Sequence, residues 1–205
     1  MKEQIIGSLA ALESHYGAPG DLALRKELTA LDPHCRHFIE LSPFIVIATA
    51  SASGAADASP RGDAPGFVQI VDDRQLLIPD RPGNNRVDSL RNLVENPNIG
   101  LLFFIPGMNE TLRLNGTAVL TTDPEILAKM AVNGKPPRSA LLVTIDQVFL
   151  QCAKALVRSK LWNPESRIER ETFPTLGQII ADQVKGVDSA VADERIEISM
   201  KTRLY

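Results

Sequence analysis

The residues best suited to bind a ligand form one loop, which runs from Ile78 to Leu90 with the sequence IPDRPGNNRVDSL. A short apolar run precedes this loop, and an apolar spacing typical of one helix face follows it. A strand that enters a helix through glycine and asparagine directs backbone N–H groups at one point, where anions collect. Arg81 and Arg86 add planar donors that match a phosphate. The loop is therefore predicted to cradle a phosphate. The alternative is an ordinary turn with two solvated arginines.

Two further groups of polar residues also follow predicted strands. One is the segment Ser59-Pro60-Arg61-Gly62-Asp63, and the other contains Lys154, Arg158, Ser159 and Trp162. If the fold brings the three groups together, they supply a phosphate clamp, backbone donors beside glycine and an aromatic face. A flavin or another phosphorylated aromatic cofactor requires this set of groups.

Each group also has a purely structural interpretation. Arg61 and Asp63 could pair to fix a tight turn, and Trp162 could anchor the core or a dimer interface, because tryptophan prefers partly buried sites. Lys154 and Arg158 stand at helical spacing, which is typical of a solvated helix face. The residues alone leave these alternatives open.

The composition excludes several classes of protein. The chain has 205 residues, 44% of them hydrophobic, and a formal net charge of -3, so a sizeable core can form and nucleic acid is not the expected partner. No apolar run is long enough to cross a bilayer, and the polar N-terminus is not that of a secretory signal. Cys35 and Cys152 stand in dissimilar contexts, which favours reduced thiols in a cytoplasm. Neither they nor the three histidines have the spacing of a metal site, so no metal is expected.

The first 43 residues are predicted to be helical. One apolar face spans Lys2 to Tyr16, a second amphipathic segment spans Asp21 to Leu31, and Asp32-Pro33 caps a third helix that reaches Leu41. We expect these helices to pack outside the core or to cover the site, and we assign them no chemistry.

From Phe44 onward the pattern changes to short strands joined by tight turns. The segment Ser59 to Gly66, with two prolines and two glycines, is expected to interrupt the sheet, and Gly116 within a strand predicts a bulge or a close approach. Few helices separate the strands, which predicts a β-rich α+β fold with a closed or nearly closed antiparallel barrel. The predicted strands are Phe44–Ala50, Ala55–Ser59, Phe67–Val71, Gln75–Pro79, Ile99–Ile105, Glu110–Thr121 and Ala140–Leu150, and later helices are predicted over Asp123–Met130 and Thr175–Val184.

Four sequence blocks resemble the FMN-binding split-barrel proteins related to pyridoxamine 5′-phosphate oxidase. The resemblance covers residues 44–164 and implies an all-β core with added helices, built as a six-stranded antiparallel barrel of Greek-key type. The length and the residue patterns predict a single domain over residues 1–205, with a helical addition at 1–43 and a peripheral extension at 165–205. The blocks are SPRGD…PGFV at Ser59–Val68, IPDRPGNNR…DSL at Ile78–Leu90, IPG…ETLR.NG at Ile105–Gly116 and KAL.RS.LW.P at Lys154–Pro164.

The resemblance also implies that FMN is held at the interface of a homodimer. In that arrangement one group of residues contacts the ring and ribityl chain, a second holds the phosphate, and a third reaches the flavin bound mainly by the other subunit. The ring and ribityl residues are Ser59, Arg61, Gly62, Ile78 and Pro79; the phosphate residues are Asn84, Asn85 and Arg86; Thr111 and Arg113 reach the other flavin; and Lys154, Arg158 and Trp162 close the site.

The implied function is that of a cytoplasmic FMN-dependent oxidoreductase acting on an unknown small substrate. The loop reads Asn85-Arg86-Val87 where the oxidases have adjacent Arg and Lys, and their C-terminal motif with paired Arg and His is not recognisable here. Oxidation of pyridoxamine 5′-phosphate itself is therefore not expected. The sequence offers no residue that must act as a general acid or base. The alternative is a module without turnover that binds a flavin, haem or deazaflavin as a carrier, sensor or scavenger.

Overall fold

A computed structural model describes residues 5–205 of the chain. In this range the chain forms one antiparallel sheet of seven strands together with several helices. The helices are α1 (Leu9–Tyr16), α2 (Asp21–Arg25), α3 (Pro33–Leu41), α4 (Asp88–Glu95), α5 (Pro124–Lys129), α6 (Lys154–Ser159), α7 (Leu176–Gln183) and α8 (Ser189–Thr202). The strands are β1 (Phe44–Ala50), β2 (Ala56–Gly62), β3 (Gln69–Ile70), β4 (Gln75–Pro79), β5 (Asn98–Phe104), β6 (Thr111–Thr121) and β7 (Ala140–Gln151).

The sheet has the strand order β2-β1-β5-β6-β7-β4-β3. Its longest pairing is the β6–β7 hairpin, which runs from Thr111 opposite Gln151 to Thr121 opposite Ala140. β5 pairs with the first part of β6, whereas β4 pairs with the first part of β7, so the two flanks of the sheet leave this hairpin at opposite ends. The predicted antiparallel, β-rich α+β fold is confirmed. The seventh strand, beyond the six expected, is the two-residue β3.

Alternating side chains on the strands fill the core. Successive residues of a strand point to opposite faces of the sheet, so every second residue of β1, β5 and β6 is buried. α3 adds Phe38 and Ile39, and α4 adds Leu90 and Leu93. The fully buried large side chains include Ile45, Ile47, Leu76, Ile78, Leu101, Phe103, Leu112, Leu114 and Ile145.

The first two helices are shorter than predicted. The start predicted at Lys2 lies outside the described residues, and the observed α1 begins at Leu9, because Ser8 caps it by accepting a hydrogen bond from the amide of Ala11 at 3.2 Å. The prediction that the second helix reaches Leu31 is wrong. Leu28 instead exchanges backbone hydrogen bonds of 3.0 and 2.8 Å with Val148 of β7, which takes the chain out of the helix. α3 has the predicted bounds.

The segment Ser59 to Gly66 does not interrupt the sheet as a whole. Its first four residues belong to β2, where Pro60 lies opposite Val46 of β1. Because β2 is an edge strand with a partner on one side only, it tolerates a proline, which donates no backbone hydrogen bond. This continuation carries Arg61 into the strand and places Asp63 directly after it.

Gly116 lies at a bulge, as predicted. The register between β6 and β7 shifts between Asn115 and Gly116. A Cβ atom at Gly116 would collide with the carbonyl oxygen of Thr144 and lie 3.0 Å from its carbonyl carbon. The hairpin therefore depends on glycine here, because the backbone of β7 occupies the space of a side chain.

We expect Gly116→Ala to lower the free energy of unfolding by about 3 kcal/mol, since the two longest strands must separate to admit a methyl group. Gly100→Ala on the adjacent strand β5 is the matched control, because a Cβ there meets its nearest atoms at ordinary distances of 3.5 and 3.6 Å. Urea unfolding of both variants measures the difference. Equal losses would show that the close approach at Gly116 does not limit stability.

Candidate functional site

A cleft of about 1210 Å³ opens beside the edge strand β2. Its walls are the C-terminal half of β2, the loop that follows β4, the start of α4, and the helix α8. Of the predicted site residues, the cleft brings together Ser59, Arg61, Gly62, Asn84, Asn85 and Arg86. Two of the three predicted polar groups therefore share one recess.

A buried ion pair joins the two sides of this cleft. Nε of Arg81 donates to Oδ2 of Asp63 at 2.6 Å, and the two side chains are only 17% and 4% exposed. Arg81 also donates to the carbonyl oxygen of Met130 at 2.8 Å. Arg81 is therefore not a solvated arginine, and the partner of Asp63 is Arg81 rather than Arg61. Arg61 instead donates to the hydroxyl of Ser59 at 2.6 Å.

Tyr205 completes this cluster. Its hydroxyl donates to Oδ1 of Asp63 at 2.7 Å, and the guanidinium of Arg81 lies 5.7 Å from the centre of its ring. Burial alone would raise the pKa of Asp63, but the hydrogen bonds from Tyr205, the amide of Ala64 and Arg81 together lower that pKa below its ordinary value. Asp63 is thus held as a carboxylate between two elements far apart in sequence.

The C-terminal region is not peripheral, contrary to the prediction. Ile196, Ser199 and Met200 of α8 line the cleft, together with the residues that follow this helix up to Tyr205. The sequence signal for this role was weak, because α8 has no buried residue and its charged and apolar residues are not separated into distinct faces.

The loop between β4 and α4 contains two residues in the left-handed region of backbone conformation. Asn85 and Val87 have φ values of 59° and 47°, in the left-handed region that a β-branched residue such as Val87 rarely adopts. Val87 precedes α4 and provides no side-chain cap for the first amides of that helix. Val87, Asp88 and Ser89 all line the cleft, so the positive end of α4 faces it.

Five arginines and three aspartates line the cleft. Two of these arginines are paired with carboxylates, Arg81 with Asp63 and Arg86 with Asp88. Arg86 is 79% exposed and bonds Asp88 at 2.5 Å, whereas Asn84 accepts a hydrogen bond from the amide of Arg86 at 3.0 Å. Arg138 donates to Oδ1 of Asn85 at 3.0 Å. Sequence reasoning did not identify Arg138, which lies in a turn without a recognisable motif.

Asp80 is another lining residue that was not among the predicted site residues, although it lies within the predicted cradle. It directly follows β4, and its amide donates to the carbonyl oxygen of Ser139 at 2.9 Å. Burial raises the pKa of its carboxyl group above the ordinary value, and the charges of Arg61 and Arg138 oppose that shift.

The remaining predicted site residues lie outside this cleft. Ile78 and Pro79 are buried in β4, and Thr111, which is 4% exposed, donates to the side chain of Gln151 at 3.2 Å. Arg113 lies over the ring of Phe149 on the neighbouring strand. Lys154 and Arg158 are exposed on α6, and Trp162 beyond it donates to the carbonyl oxygen of Met108 at 2.6 Å.

Two further findings bear on the expected absences. Among residues 5–205 no group of His, Cys, Asp or Glu side chains is arranged to hold a metal ion. None of the helices in this described range combines the length and the apolar character needed to cross a membrane.

The ion pair predicts how stability depends on pH. A carboxyl group whose pKa is lowered by folding contributes stability above its unfolded-state pKa of about 3.9 and loses it as the pH falls through the folded-state value. We expect Asp63→Asn to be about 3 kcal/mol less stable than the wild type at pH 7, because Arg81 loses its buried partner. Urea unfolding should show this gap closing as the pH falls below about 4.

The control for this prediction is Asp21→Asn, which removes an exposed pair whose side chains are 72% and 76% accessible. Its effect should stay below about 0.5 kcal/mol at every pH, because surface ion pairs contribute little. A gap for Asp63→Asn that does not change with pH would contradict the assignment of Asp63 as a stabilising carboxylate.

Three solved structures illustrate the similarity of the fold to known proteins. HupZ of Group A Streptococcus is 16% identical over 58% of this chain and 93% of its own, with a TM-score of 0.46. A Clostridium acetobutylicum protein related to general stress protein 26, of the pyridoxinephosphate oxidase family, is 16% identical over 58% and 85%, with a TM-score of 0.44. An FMN-binding protein of Syntrophomonas wolfei is 8% identical over 70% and 97%, with a TM-score of 0.44.

Comparison by sequence identifies one protein family. No curated protein matches the chain. The family model described as pyridoxamine 5′-phosphate oxidase matches residues 31–152, from just before α3 to just after β7. This range includes the ion pair, the loop after β4 and the bulge. More than half of the chain is covered by that match, and its limits enclose the whole sheet. The chain therefore belongs to the pyridoxamine 5′-phosphate oxidase family and has its split-barrel fold.

Proposed function

We propose that the chain is an FMN-binding flavoprotein and an oxidoreductase that acts on a small molecule, as a cytoplasmic homodimer with FMN at the subunit interface. The observation that carries this proposal is the shared cleft, in which the SPRG end of β2 meets the loop Asn84 to Arg86 at the start of α4. Membership of the family supports the same ligand class.

The shape and charge of the cleft fit FMN. Ligand pockets usually measure roughly 300–1,000 Å³, so a recess of about 1210 Å³ has room for a flavin and a small substrate together. The first turn of α4, the amides of Asn84 and Asn85 and the guanidinium of Arg86 suit a phosphate. The apolar side chains Ile196 and Met200 on α8 suit the face of an aromatic ring.

The homodimer accounts for the predicted residues that lie outside the cleft. Thr111 and Arg113 on β6, with Lys154, Arg158 and Trp162 after β7, do not line the cleft of their own chain. In the proposed dimer Thr111 and Arg113 reach the flavin held by the partner subunit, and Lys154, Arg158 and Trp162 close the site. Residues in the exposed apolar surface, such as Phe44 and Val119, then become available for burial at the subunit contact.

The cytoplasmic location rests on the cysteines. Cys35 and Cys152 are both free thiols, one buried and one exposed, which suits a reducing compartment.

The protein would contribute binding and orientation to the reaction. FMN supplies hydride or electron transfer when bound, so the chain needs only to fix the ring, hold the phosphate and exclude water. Arg61 is already oriented for this by Ser59 Oγ and by the carbonyl oxygen of Pro60, at 2.6 and 3.0 Å. We do not extend the proposal to pyridoxamine 5′-phosphate, for which the expected C-terminal Arg and His pair is not recognisable.

A second candidate is a flavin-binding module without turnover. It is favoured by the lining of the cleft, to which residues 5–205 contribute no His, Cys or Lys side chain that could serve as a base or nucleophile. The two candidates differ in a spectroscopic experiment. If purified protein is yellow and a reduced nicotinamide bleaches it repeatedly in air, it is an enzyme, whereas a bound flavin that no donor reduces indicates a module. Protein without affinity for added FMN would contradict both.

The role of Arg86 can be tested with two flavins. We expect Arg86→Ala to weaken FMN binding by about ten- to a hundredfold, because a charged hydrogen bond to the phosphate is lost, and to change riboflavin affinity little. The control is Arg91→Ala, which removes an exposed arginine of α4 that does not line the cleft. Titration by flavin fluorescence measures both ligands. Equal losses for FMN and riboflavin would place the phosphate elsewhere.

The shared site can be tested by complementation. If Arg61 of one subunit and Arg113 of the other contact the same flavin, Arg61→Ala and Arg113→Ala should each bind FMN weakly. When the two variants are unfolded together and refolded, half of the dimers become mixed, and about a quarter of all sites should regain both arginines. Recovery of tight FMN binding in the mixture measures this. A mixture that stays weak, or a monomer in sedimentation with flavin bound, would contradict the shared site.

A further inference from the structure

The cleft contains one carboxylate whose hydrogen-bonding capacity is unused. Asp80 lines the cleft and is half-buried, and its side chain accepts no hydrogen bond from any residue between 5 and 205. The other carboxylates nearby are occupied. Asp57 accepts from Ser89, Asp63 from Arg81 and Tyr205, and Asp88 from Arg86.

The charges of Arg61 and Arg138 oppose the effect of burial on Asp80, although neither arginine bonds to its side chain. Arg61 and Arg138 both lie close enough to act on the carboxyl group electrostatically. Each guanidinium has other acceptors, namely the hydroxyl of Ser59 and the carbonyl oxygen of Pro60 for Arg61, and the side chain of Asn85 for Arg138. The arginines therefore leave the oxygens of Asp80 without a donor, and the lone pairs of these oxygens remain free for a ligand.

The backbone fixes the position of this carboxylate. Asp80 is the first residue after β4, and its amide bonds to Ser139, so the strand pairing with β7 is extended by one residue. Arg81, the next residue, turns away into the ion pair with Asp63. Asp80 therefore stands alone between the end of β4 and the loop segment Asn84 to Arg86.

A carboxylate only accepts hydrogen bonds, so its ligand must present donors and cannot be the phosphate. On the function proposed above, Asn84 to Arg86 hold the phosphate, and Ile196 and Met200 face the flavin ring. The part of FMN between the ring and the phosphate is the ribityl chain, whose secondary hydroxyls are donors. We propose that Asp80 binds the ribityl hydroxyls and thereby selects a flavin with a polyol chain.

The test compares three flavins on the full chain. FMN, riboflavin and lumiflavin share the ring, but lumiflavin has a methyl group in place of the ribityl chain. Asp80→Asn keeps the size of the side chain and loses the charged acceptor, so we expect riboflavin to bind about tenfold more weakly and lumiflavin to bind unchanged. Riboflavin and lumiflavin are both neutral, which makes their ratio independent of the altered charge of the cleft.

The matched control is Asp57→Asn, which removes the same charge from the same cleft at a carboxylate that already has a protein donor. Asp57→Asn should leave the ratio of riboflavin to lumiflavin affinity unchanged. Its effect on FMN affinity measures how much the loss of one negative charge strengthens the binding of FMN. Asp80→Ser is measured beside Asp80→Asn, and circular dichroism establishes that both variants are folded.

The outcomes separate this inference from the function on which it rests. If the wild type binds none of the three flavins, the proposed function itself fails. If the wild type binds flavin and both Asp80 variants lose riboflavin and lumiflavin equally, Asp80 supports the ring or the cleft and the ribityl assignment is overturned. Unchanged binding of all three flavins overturns it as well, including the case in which only turnover falls and Asp80 serves proton transfer.

Discussion

The ion pair between Asp63 and Arg81 is the interaction on which the site depends. Asp63 follows β2 at one edge of the sheet, and Arg81 follows β4 near the opposite edge. The strands β1, β5, β6 and β7 lie between β2 and β4 in the sheet. No backbone hydrogen bond of the sheet joins these two flanks. Burying two charges is costly unless they are paired and hydrogen-bonded, and here Met130, Tyr205 and the amide of Ala64 complete the pairing. The pair therefore fixes the separation of the flanks through a specific geometry.

The cleft follows from the way the sheet is organised. The bulge at Gly116 lies where β6 changes its register with β7, and the flanking strands leave this hairpin at opposite ends. Two segments that a flat sheet would hold far apart can then approach each other, and the helix α4 begins between them. Polar groups concentrate at this gap because the backbone there is free of strand partners and can present its amides to a ligand.

Much of the fold was accessible from the sequence because it depends on local patterns. Alternation of apolar residues located the strands, and Asp32-Pro33 located the start of α3. Burial and long-range pairing decided the rest. Pro60 was predicted to interrupt the sheet, but it lies in an edge strand, where a proline is tolerated. Leu28 has a helical sequence pattern, yet it pairs with Val148 of β7, and Arg81 forms an ion pair with Asp63 from the other side of the sheet. Arg138 lines the cleft through proximity alone, which no spacing in the sequence encodes, whereas Asp80 lies in the predicted loop but no motif marks its side chain.

The contact between Tyr205 and Asp63 has a consequence for biosynthesis. The two residues are separated by 142 positions, and the helical wall of the cleft belongs to the later part. At translation rates of about 5–20 residues per second, the ribosome needs on the order of ten seconds to pass from one to the other. During this interval the strands and the loop after β4 can emerge while α8 is still missing. In the nascent chain the cleft is thus open on the side that α8 later covers. The helix α8 completes the wall of the cleft after the strands of the sheet have been synthesised.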